Sequence, residues 1–381
     1  MAEVLKPSTE ADLREMIADA VASKRPLELM GAGTKRGIGR PMQTGATLDL
    51  SGFSGLQLYE PEELILEAGA ATPMADIEKA VAAKGQQLAF EPPGGGTMGG
   101  MVACNLSGPR RIKAGAARDH VLGMRGVTGR GDAFKAGARV MKNVTGYDLP
   151  KLLTGSYGTL AALTSVTIKV LPRPETEESL VIAGLDDAAA VRAMSLALQS
   201  PCEVSGAAHL PCAAPMTLLR LEGIAPSVAY RCGKLAALLN EFGTADTLPE
   251  TQSKRQWQTI REVSPLAPRP ERCLWRISVA PTDGPRVAAQ IAASADARWF
   301  YDWGGGLVWL DVPSTDDAAA ALVRGAVAPG HATLIRAPDP VRLAVPVFQP
   351  QEAALAALSA RIKQAFDPAQ ILNPGRMYRG V

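Results

Sequence analysis

The sequence predicts an α+β protein of at least two domains, and three observations carry that reading. Two glycine-rich loops, at 31–39 and 91–108, interrupt a first half made of short strands and short helices. A proline pair, Pro172-Arg173-Pro174, then marks a change of texture. Beyond it the order strand, helix, strand, strand, helix, strand over 274–336 is that of a split βαβ, ferredoxin-like sheet. The boundaries implied are 1–173 for a first domain, 174–340 for a second, and 341–381 for a helix and tail that return to the first.

The elements follow from local chemistry. Ser8 or Thr9 can cap a helix whose first turn carries acids and whose Leu13, Ile17 and Val21 repeat on one face. A short strand at 27–30 runs directly into the first glycine loop. Further strands are expected at 47–50, 56–59 and 64–68, and the 73–83 segment reads as a helix with proline at its first turn and Gly85 after its end. Residues 121–128 look extended before the Gly129-Arg130-Gly131-Asp132 turn, and 163–171 is a β-branched run closed by the prolines. In the second half, strands at 180–183 and 217–222 with helices at 187–199 and 227–242 suggest one α+β unit. The ferredoxin-like order then places strands at 274–279, 298–303, 307–312 and 332–336 and helices at 285–293 and 316–324, before a last amphipathic helix at 351–366.

Composition narrows the function classes. The chain has 381 residues, 47% hydrophobic and 20% charged, with net charge +2, so it has the means to bury cores and no reason to stay extended. The densest basic cluster, Arg110, Arg111 and Lys113, is too small for a nucleic-acid face and suits a phosphate-sized anion. The first ten residues lack the basic start and apolar core of a signal peptide, and no run of eighteen apolar residues occurs. A cytoplasmic protein is expected, with membrane contact only through partners. Cys104, Cys202, Cys212, Cys232 and Cys273 form no C-x-x-C pair, so neither a zinc site nor an iron–sulfur cluster is expected, and the thiols should be reduced and mostly buried.

The glycine runs let backbone approach a ligand, since glycine reaches positive φ without strain and consecutive N–H groups can turn inward around an anion. Gly94, Gly96 and Gly99 match the G-x-G-x-x-G spacing of a Rossmann fingerprint, with Asp119 at the distance of a ribose-binding acid. Context rejects that match. Pro92-Pro93 breaks any strand entering the loop, and Ser107-Gly108-Pro109 ends the following helix too soon for a βαβ crossover.

The two glycine loops, the tract Val140-Met-Lys-Asn-Val-Thr-Gly-Tyr-Asp148, the segment Leu153-Thr-Gly-Ser-Tyr-Gly-Thr-Leu160 and the closing Phe366-Asp-Pro-Ala-Gln-Ile-Leu-Asn-Pro-Gly375 together resemble the vanillyl-alcohol-oxidase/PCMH superfamily of FAD-binding oxidases. More narrowly, Gly99-Gly-Met-Val-Ala-Cys104, Ser107-Gly-Pro-Arg-Arg111, Leu274-Trp-Arg-Ile-Ser278 and Asp302-Trp-Gly-Gly305 are similar to the E-subunit family of bacterial glycolate oxidases. The resemblance implies a two-subdomain PCMH-type FAD-binding domain and a cap, with FAD held non-covalently between the two subdomains. It assigns Gly31, Ala32, Gly33, Thr34 and Lys35 to the first phosphate loop. Gly95, Thr97, Gly99, Gly100, Asn105, Ser107 and Gly108 fall to the second wall, and Gly158, Thr159 and Leu160 to the adenine and ribose side. Arg118, Lys142 and Tyr147 could touch phosphate or flavin, or be solvated loop residues. The implied partners are a paralogous FAD-binding catalytic subunit and an iron–sulfur subunit, and the complex would act on a small 2-hydroxy acid.

Whether the chain is catalytic alone turns on a base. Its three histidines form no metal-ligand spacing, so no metal site is expected. His120 reads as packing or as a supporting hydrogen-bond residue, and His209, before Pro211, as a surface turn. His331, opening the last cap strand, is the candidate catalytic base, although odd spacing puts it and Arg336 on opposite faces of a regular strand. Tyr301 and Trp303 should share one strand face near Trp309 and Gly304-Gly305-Gly306, as core or interface or as cover for a flavin. Cys104 reads as a small buried residue. Three functions remain open: a flavin subunit of a multi-subunit oxidase, a self-sufficient D-2-hydroxy-acid dehydrogenase using His331, and a scaffold with a vestigial cleft.

Overall fold

The computed structural model describes residues 3–139 and 146–381. The chain forms two compact units. The first takes the described residues up to Ser107, those within 115–173, and 350–381; the second takes 108–114 and 174–349. The expected boundaries differ from this at two places, because 108–114 and 341–349 both belong to the second unit.

The first unit opens with β1 (Glu3–Leu5), α1 (Glu10–Ala22), β2 (Leu27–Met30) and β3 (Ala46–Asp49). Its first sheet is parallel, in the order β1-β3-β2. Thr9 caps α1 through a full capping box: Asp12 N–H donates to Thr9 Oγ1 at 3.1 Å and Thr9 N–H to Asp12 Oδ2 at 3.0 Å. Hydrogen bonds from Ser8 and Thr9 hold the Asp12 carboxyl down to about 2. The face that α1 buries is Leu13, Ile17 and Ala20, packed on Leu27 and Leu48.

Next come β4 (Leu56–Glu60), β5 (Ile65–Gly69), α2 (Met74–Ala82), β6 (Gln86–Gln87), α3 (Met98–Cys104), α4 (Arg111–Ala114, in the second unit), α5 (Ala117–His120), β7 (Val121–Thr128), β8 (Ala133–Gly137), α6 (Leu149–Leu153), β9 (Ala161–Lys169) and β10 (Leu171–Pro172). A five-stranded antiparallel sheet runs β4-β5-β9-β7-β8. Its core joins Leu66, Val166 and Ile168 to Ile77, Phe90, Met98 and Val102 from the helices and loops above it. The C-terminal tail returns to this unit: Leu27 N–H donates to Ile371 O at 2.7 Å, and Asn373 N–H to Leu27 O at 3.0 Å.

The second unit continues with β11 (Thr176–Ala183), α7 (Asp187–Gln199), β12 (Gly206–Leu210), β13 (Met216–Gly223), α8 (Ala225–Leu238), β14 (Ala245–Leu248) and α9 (Glu250–Arg261). It ends with β15 (Arg272–Ser278), α10 (Gly284–Ala292), β16 (Arg298–Asp302), β17 (Leu307–Pro313), α11 (Ala320–Val327), β18 (His331–Arg336) and α12 (Asp339–Ala344); α13 (Ala353–Phe366) returns to the first unit. One eight-stranded sheet has the order β14-β11-β13-β12-β16-β17-β15-β18. The expected ferredoxin-like order is present in β15 to β18. The preceding segment, read only as an α+β unit, repeats it: β11 to β14 show the same strand, helix, strand, strand, helix, strand order and the same internal sheet order. The two repeats meet through their second strands, where His209 of β12 pairs with Tyr301 of β16.

That seam corrects the reading of His209 as a surface turn. The residue is fully buried, with Nδ1 2.9 Å from Thr217 Oγ1 and Nε2 3.4 Å from Asp187 Oδ1. Tyr301 Oη and Trp299 Nε1 both donate to Asp187 Oδ2, at 2.6 and 2.8 Å. Burial opposes ionisation of Asp187, yet the hydrogen bonds from His209, Tyr301 and Trp299 outweigh it and hold the carboxyl below its usual range. Tyr301 is therefore committed to the core, its hydroxyl pushed far up by burial and by Asp187. Trp303 does not share its strand face, because β16 ends at Asp302 and Trp303 turns into a short 3-10 segment with φ of 52°.

Candidate functional site

A cleft opens within the first unit, lined by the loop leaving β2, the start of α3 and the segment around Gly158. One wall is the loop leaving β2: Gly31, Ala32, Gly33, Thr34 and Lys35 all line it, as expected. The facing wall is the start of α3, where Thr97, Gly99 and Gly100 line the cleft while Met98, Met101 and Val102 point into the core. This split follows helical periodicity, since Gly99, Gly100, Ala103 and Cys104 fall on one face of the helix. Gly158 closes the third side.

Glycine is required here by close approach. A Cβ on Gly31 would stand 2.8 Å from Thr97 Oγ1, and one on Gly96 2.6 Å from Thr34 Oγ1, so side chains at either position would fill the gap between the loops. Thr97 caps α3, its Oγ1 accepting from Gly100 N–H at 3.3 Å. Arg36 is engaged with Glu28, Nε donating to Oε1 at 2.8 Å, and that guanidinium holds the Glu28 carboxyl low. Lys35 and Arg36 both line the cleft, Lys35 beside Gly96.

The remaining expected contacts sit elsewhere. Gly95, Asn105, Ser107, Arg118, Thr159 and Leu160 do not line the cleft, and Gly108 belongs to the second unit. Asn105 and Ser107 instead brace the turn after α3: Asn105 Oδ1 accepts from Arg118 N–H at 3.1 Å and Ser107 Oγ from Ala117 N–H at 2.8 Å. Thr159 bonds locally to Ser156 O, and Leu160 is core. Arg118 and Tyr147 are exposed, and Lys142 with most of the 140–148 tract lies outside the described residues.

Asn373 and Arg376 are among the cleft residues that escaped the sequence reading. Asn373 ties the site together, its Oδ1 accepting from Leu29 N–H at 2.8 Å and its Nδ2 donating to Tyr157 O at 2.8 Å beside Gly158. Arg376 lines the same cleft and donates through Nη2 to Lys35 O at 2.6 Å. The closing motif that contains Asn373 was the available signal; nothing local in it says that the tail folds back across most of the chain to reach β2. Cys104 faces the cleft, but burial pushes its thiol up to about 11, so it offers a small neutral wall and no thiolate.

These residues fit a dinucleotide-sized, phosphate-bearing group. Inward-facing loop backbone and the cations Lys35 and Arg376 suit a pyrophosphate, while Leu29, Leu50, Ala161 and Leu163 give flat apolar walls for rings.

In the second unit, His331 opens β18 and is exposed. Partial desolvation together with Arg276 and Arg111 pushes its pKa down. Arg336 is occupied elsewhere, its Nη2 donating to Leu266 O at 2.7 Å. His120 is fully buried and packs on Phe90 with ring centroids 5.2 Å apart, the packing role expected of it. Among the described residues no cluster has the composition of a metal site, and no helix is long and apolar enough to cross a membrane.

Comparison with known proteins agrees with this geometry. A family model for the FAD binding domain matches residues 1–137, and one for the C-terminal domain of FAD linked oxidases matches 349–377. The chain is 38% identical over 373 residues to glycolate oxidase subunit GlcE of Escherichia coli (strain K12), covering 96% of both proteins. It is 27% identical over 261 residues to glycolate oxidase subunit GlcD of Bacillus subtilis (strain 168), covering 66% of this chain and 53% of that one. Among solved structures, alkyldihydroxyacetonephosphate synthase superposes with a TM-score of 0.72 at 15% identity, over 97% of this chain and 75% of the other, a likeness of fold. With an FAD-binding domain, a C-terminal oxidase segment and near full-length identity to one such subunit, this chain belongs to the FAD-linked oxidase family, in the group of glycolate oxidase subunit GlcE.

Proposed function

We propose that the chain is the FAD-binding subunit of a multi-subunit glycolate oxidase, which converts glycolate to glyoxylate and passes the electrons to a partner. The observation that carries the reading is the cleft, whose loops approach closely at Gly31 and Gly96 and leave room for a cofactor. FAD, when bound, supplies the two-electron acceptor that no amino-acid side chain offers. The chain's own residues then do three things. Backbone of 31–35 and 97–100 receives the pyrophosphate, Lys35 and Arg376 offset its charge, and the apolar wall excludes water from the rings. Binding is non-covalent, in keeping with the neutral Cys104 thiol.

The partners in this reading are a paralogous FAD-binding catalytic subunit and an iron–sulfur subunit. The likeness to a GlcD protein supports the first. For the second, an iron–sulfur cluster is a one-electron acceptor suited to reduced FAD, and this chain's cysteine spacing offers no ligand set for one, so the cluster is assigned to a separate subunit. The complex would work in the cytoplasm and meet a membrane only through those partners. A second reading, in which this chain alone oxidises a D-2-hydroxy acid with His331 as base, draws on one observation: the lowered pKa keeps the imidazole neutral and able to accept a proton near pH 7.

The test is a flavin spectrum of the purified chain before and after glycolate. Bound flavin that glycolate bleaches only when the partner subunits are added is the expected result. Bleaching by the isolated chain favours the second reading, and absence of flavin from both chain and complex sinks both.

A further inference from the structure

We propose that Arg111, Arg276 and the Trp303 turn of the second unit form a binding site for a small carboxylate anion. The ligand's identity as a 2-hydroxy acid rests on the function proposed above; the anion site itself rests on the geometry.

The Trp303 indole is held in an unusual way. Its backbone φ of 52° is a left-handed conformation that strains a bulky residue, and such strain persists only where the surroundings impose it. Those surroundings are specific. Trp303 N–H donates to the buried Asp302 Oδ1 at 2.7 Å and Nε1–H to Gly108 O at 3.2 Å, and Gly304 and Gly305 follow with φ of 67° and 104°. The ring ends up buried and fixed.

Two guanidinium groups lie over that one ring, Arg111 with Cζ 4.3 Å from the centroid and Arg276 at 5.1 Å. Each cation–π contact is favourable, and together they bring two guanidinium groups to one fixed ring. Arg111 is delivered by a loop anchored on both sides. Arg110 makes a bidentate pair with Glu222 at 2.8 to 3.0 Å, and Lys113 reaches Glu203 at 3.3 Å. Arg276 comes from β15, where it pairs with Thr333 while Ser278 pairs with His331, so these four side chains share one sheet face.

That face is divided. Toward the other end of the strands Leu274, Phe300 and Trp309 are packed with Trp257 of α9 and Leu266. At the Arg276 end Arg111 and His331 are exposed and Ser278 and Thr333 half-exposed. A carboxylate there would meet two planar, permanently charged donors, with hydroxyls and an imidazole beside them for a hydroxyl on the neighbouring carbon. Desolvation first, and then Arg276 and Arg111, hold the His331 pKa below its usual value.

Isothermal titration of the purified chain at low ionic strength tests this with three probes: glycolate, its neutral analogue glycolamide, and inorganic phosphate. We expect saturable glycolate binding, none for glycolamide, and at least tenfold weakening in both R111Q and R276Q. R276K, which keeps the charge and loses the planar fork, should weaken binding by less. Arg111 is exposed, so R111Q should stay folded, and its melting curve checks this. No saturable glycolate binding, equal binding of glycolamide, or unchanged affinity in R111Q and R276Q would each overturn the proposal, as would phosphate binding that R111Q weakens but glycolate does not displace. The readout needs no flavin turnover, so glycolate binding with no flavin bleaching even after the partner subunits are added would retain this site while removing the oxidase reading.

Discussion

At Gly99 one hydrogen atom decides whether two segments can touch. A Cβ there would lie 2.9 Å from both the Cβ and the carbonyl oxygen of Ala70, and the Gly99 N–H donates to that same oxygen at 2.7 Å. Backbone on one side and a buried alanine on the other leave nothing flexible to yield, so G99A must shift α3 away from β5. Overpacking of this kind typically costs about 1–3 kcal/mol. Because Gly99 and Gly100 also line the cleft, the displacement should reach the cofactor: we expect G99A to lower the chain's melting temperature and its flavin-to-protein absorbance ratio together. Wild-type flavin content in a destabilised G99A would mean that the α3 face does not hold the cofactor. Gly95, assigned to the same wall from sequence, has open space around its missing Cβ, and nothing about steric demand distinguishes the two glycines in a sequence.

At the level of elements, legibility tracked how much of an element's reason for existing was local. Strand β2, helix α1 and the β15 to β18 repeat carry their signals in caps, periodicity and flanking turns, and all were readable. The first repeat was half hidden. Strand β12 is Gly-Ala-Ala-His-Leu, with little β propensity of its own, and it forms because β13 on one side and the seam to β16 on the other supply its partners. Its histidine looked like a turn residue because the neighbour that explains it, Asp187, lies on another element. The same residue makes the seam testable. Asp187 receives Tyr301 Oη, Trp299 Nε1 and the His209 ring, so D187A would leave several groups in or near the core without their acceptor. Buried polar groups stripped of a partner cost about 1–3 kcal/mol each, so roughly 3 kcal/mol is a fair expectation for D187A, read from denaturant unfolding, with D187N milder. A change below about 0.5 kcal/mol, the usual scatter of surface substitutions, would show that the seam does not depend on this carboxylate.

For the whole molecule, the two units carry separate cores and separate proposed ligands, and this makes their stabilities separable. Leu66, Phe90 and Val166 anchor one interior, while Trp257, Leu274 and Phe300 anchor another, so heating should resolve two cooperative transitions. Every residue lining the large cleft belongs to the first unit, and Arg111, Arg276 and Trp303 all belong to the second. Ligand that binds only the folded form adds about 2.7 kcal/mol at a hundred times its dissociation constant. For a domain of 150–250 residues that corresponds to roughly 5–10 °C. Calorimetry on the flavin-free chain should therefore show FAD raising one transition by this order, and glycolate, at the same multiple of its own dissociation constant, raising the other. At the same glycolate concentration R111Q should cut the glycolate shift to about half or less and leave the FAD shift intact. Both ligands moving the same transition, or R111Q erasing the FAD shift, would contradict the assignment of cofactor to one unit and carboxylate to the other. The substitution separates the two ligands because Arg111 lies over the second unit's Trp303 ring, whereas the cleft is held by loop backbone, Lys35 and a returning tail.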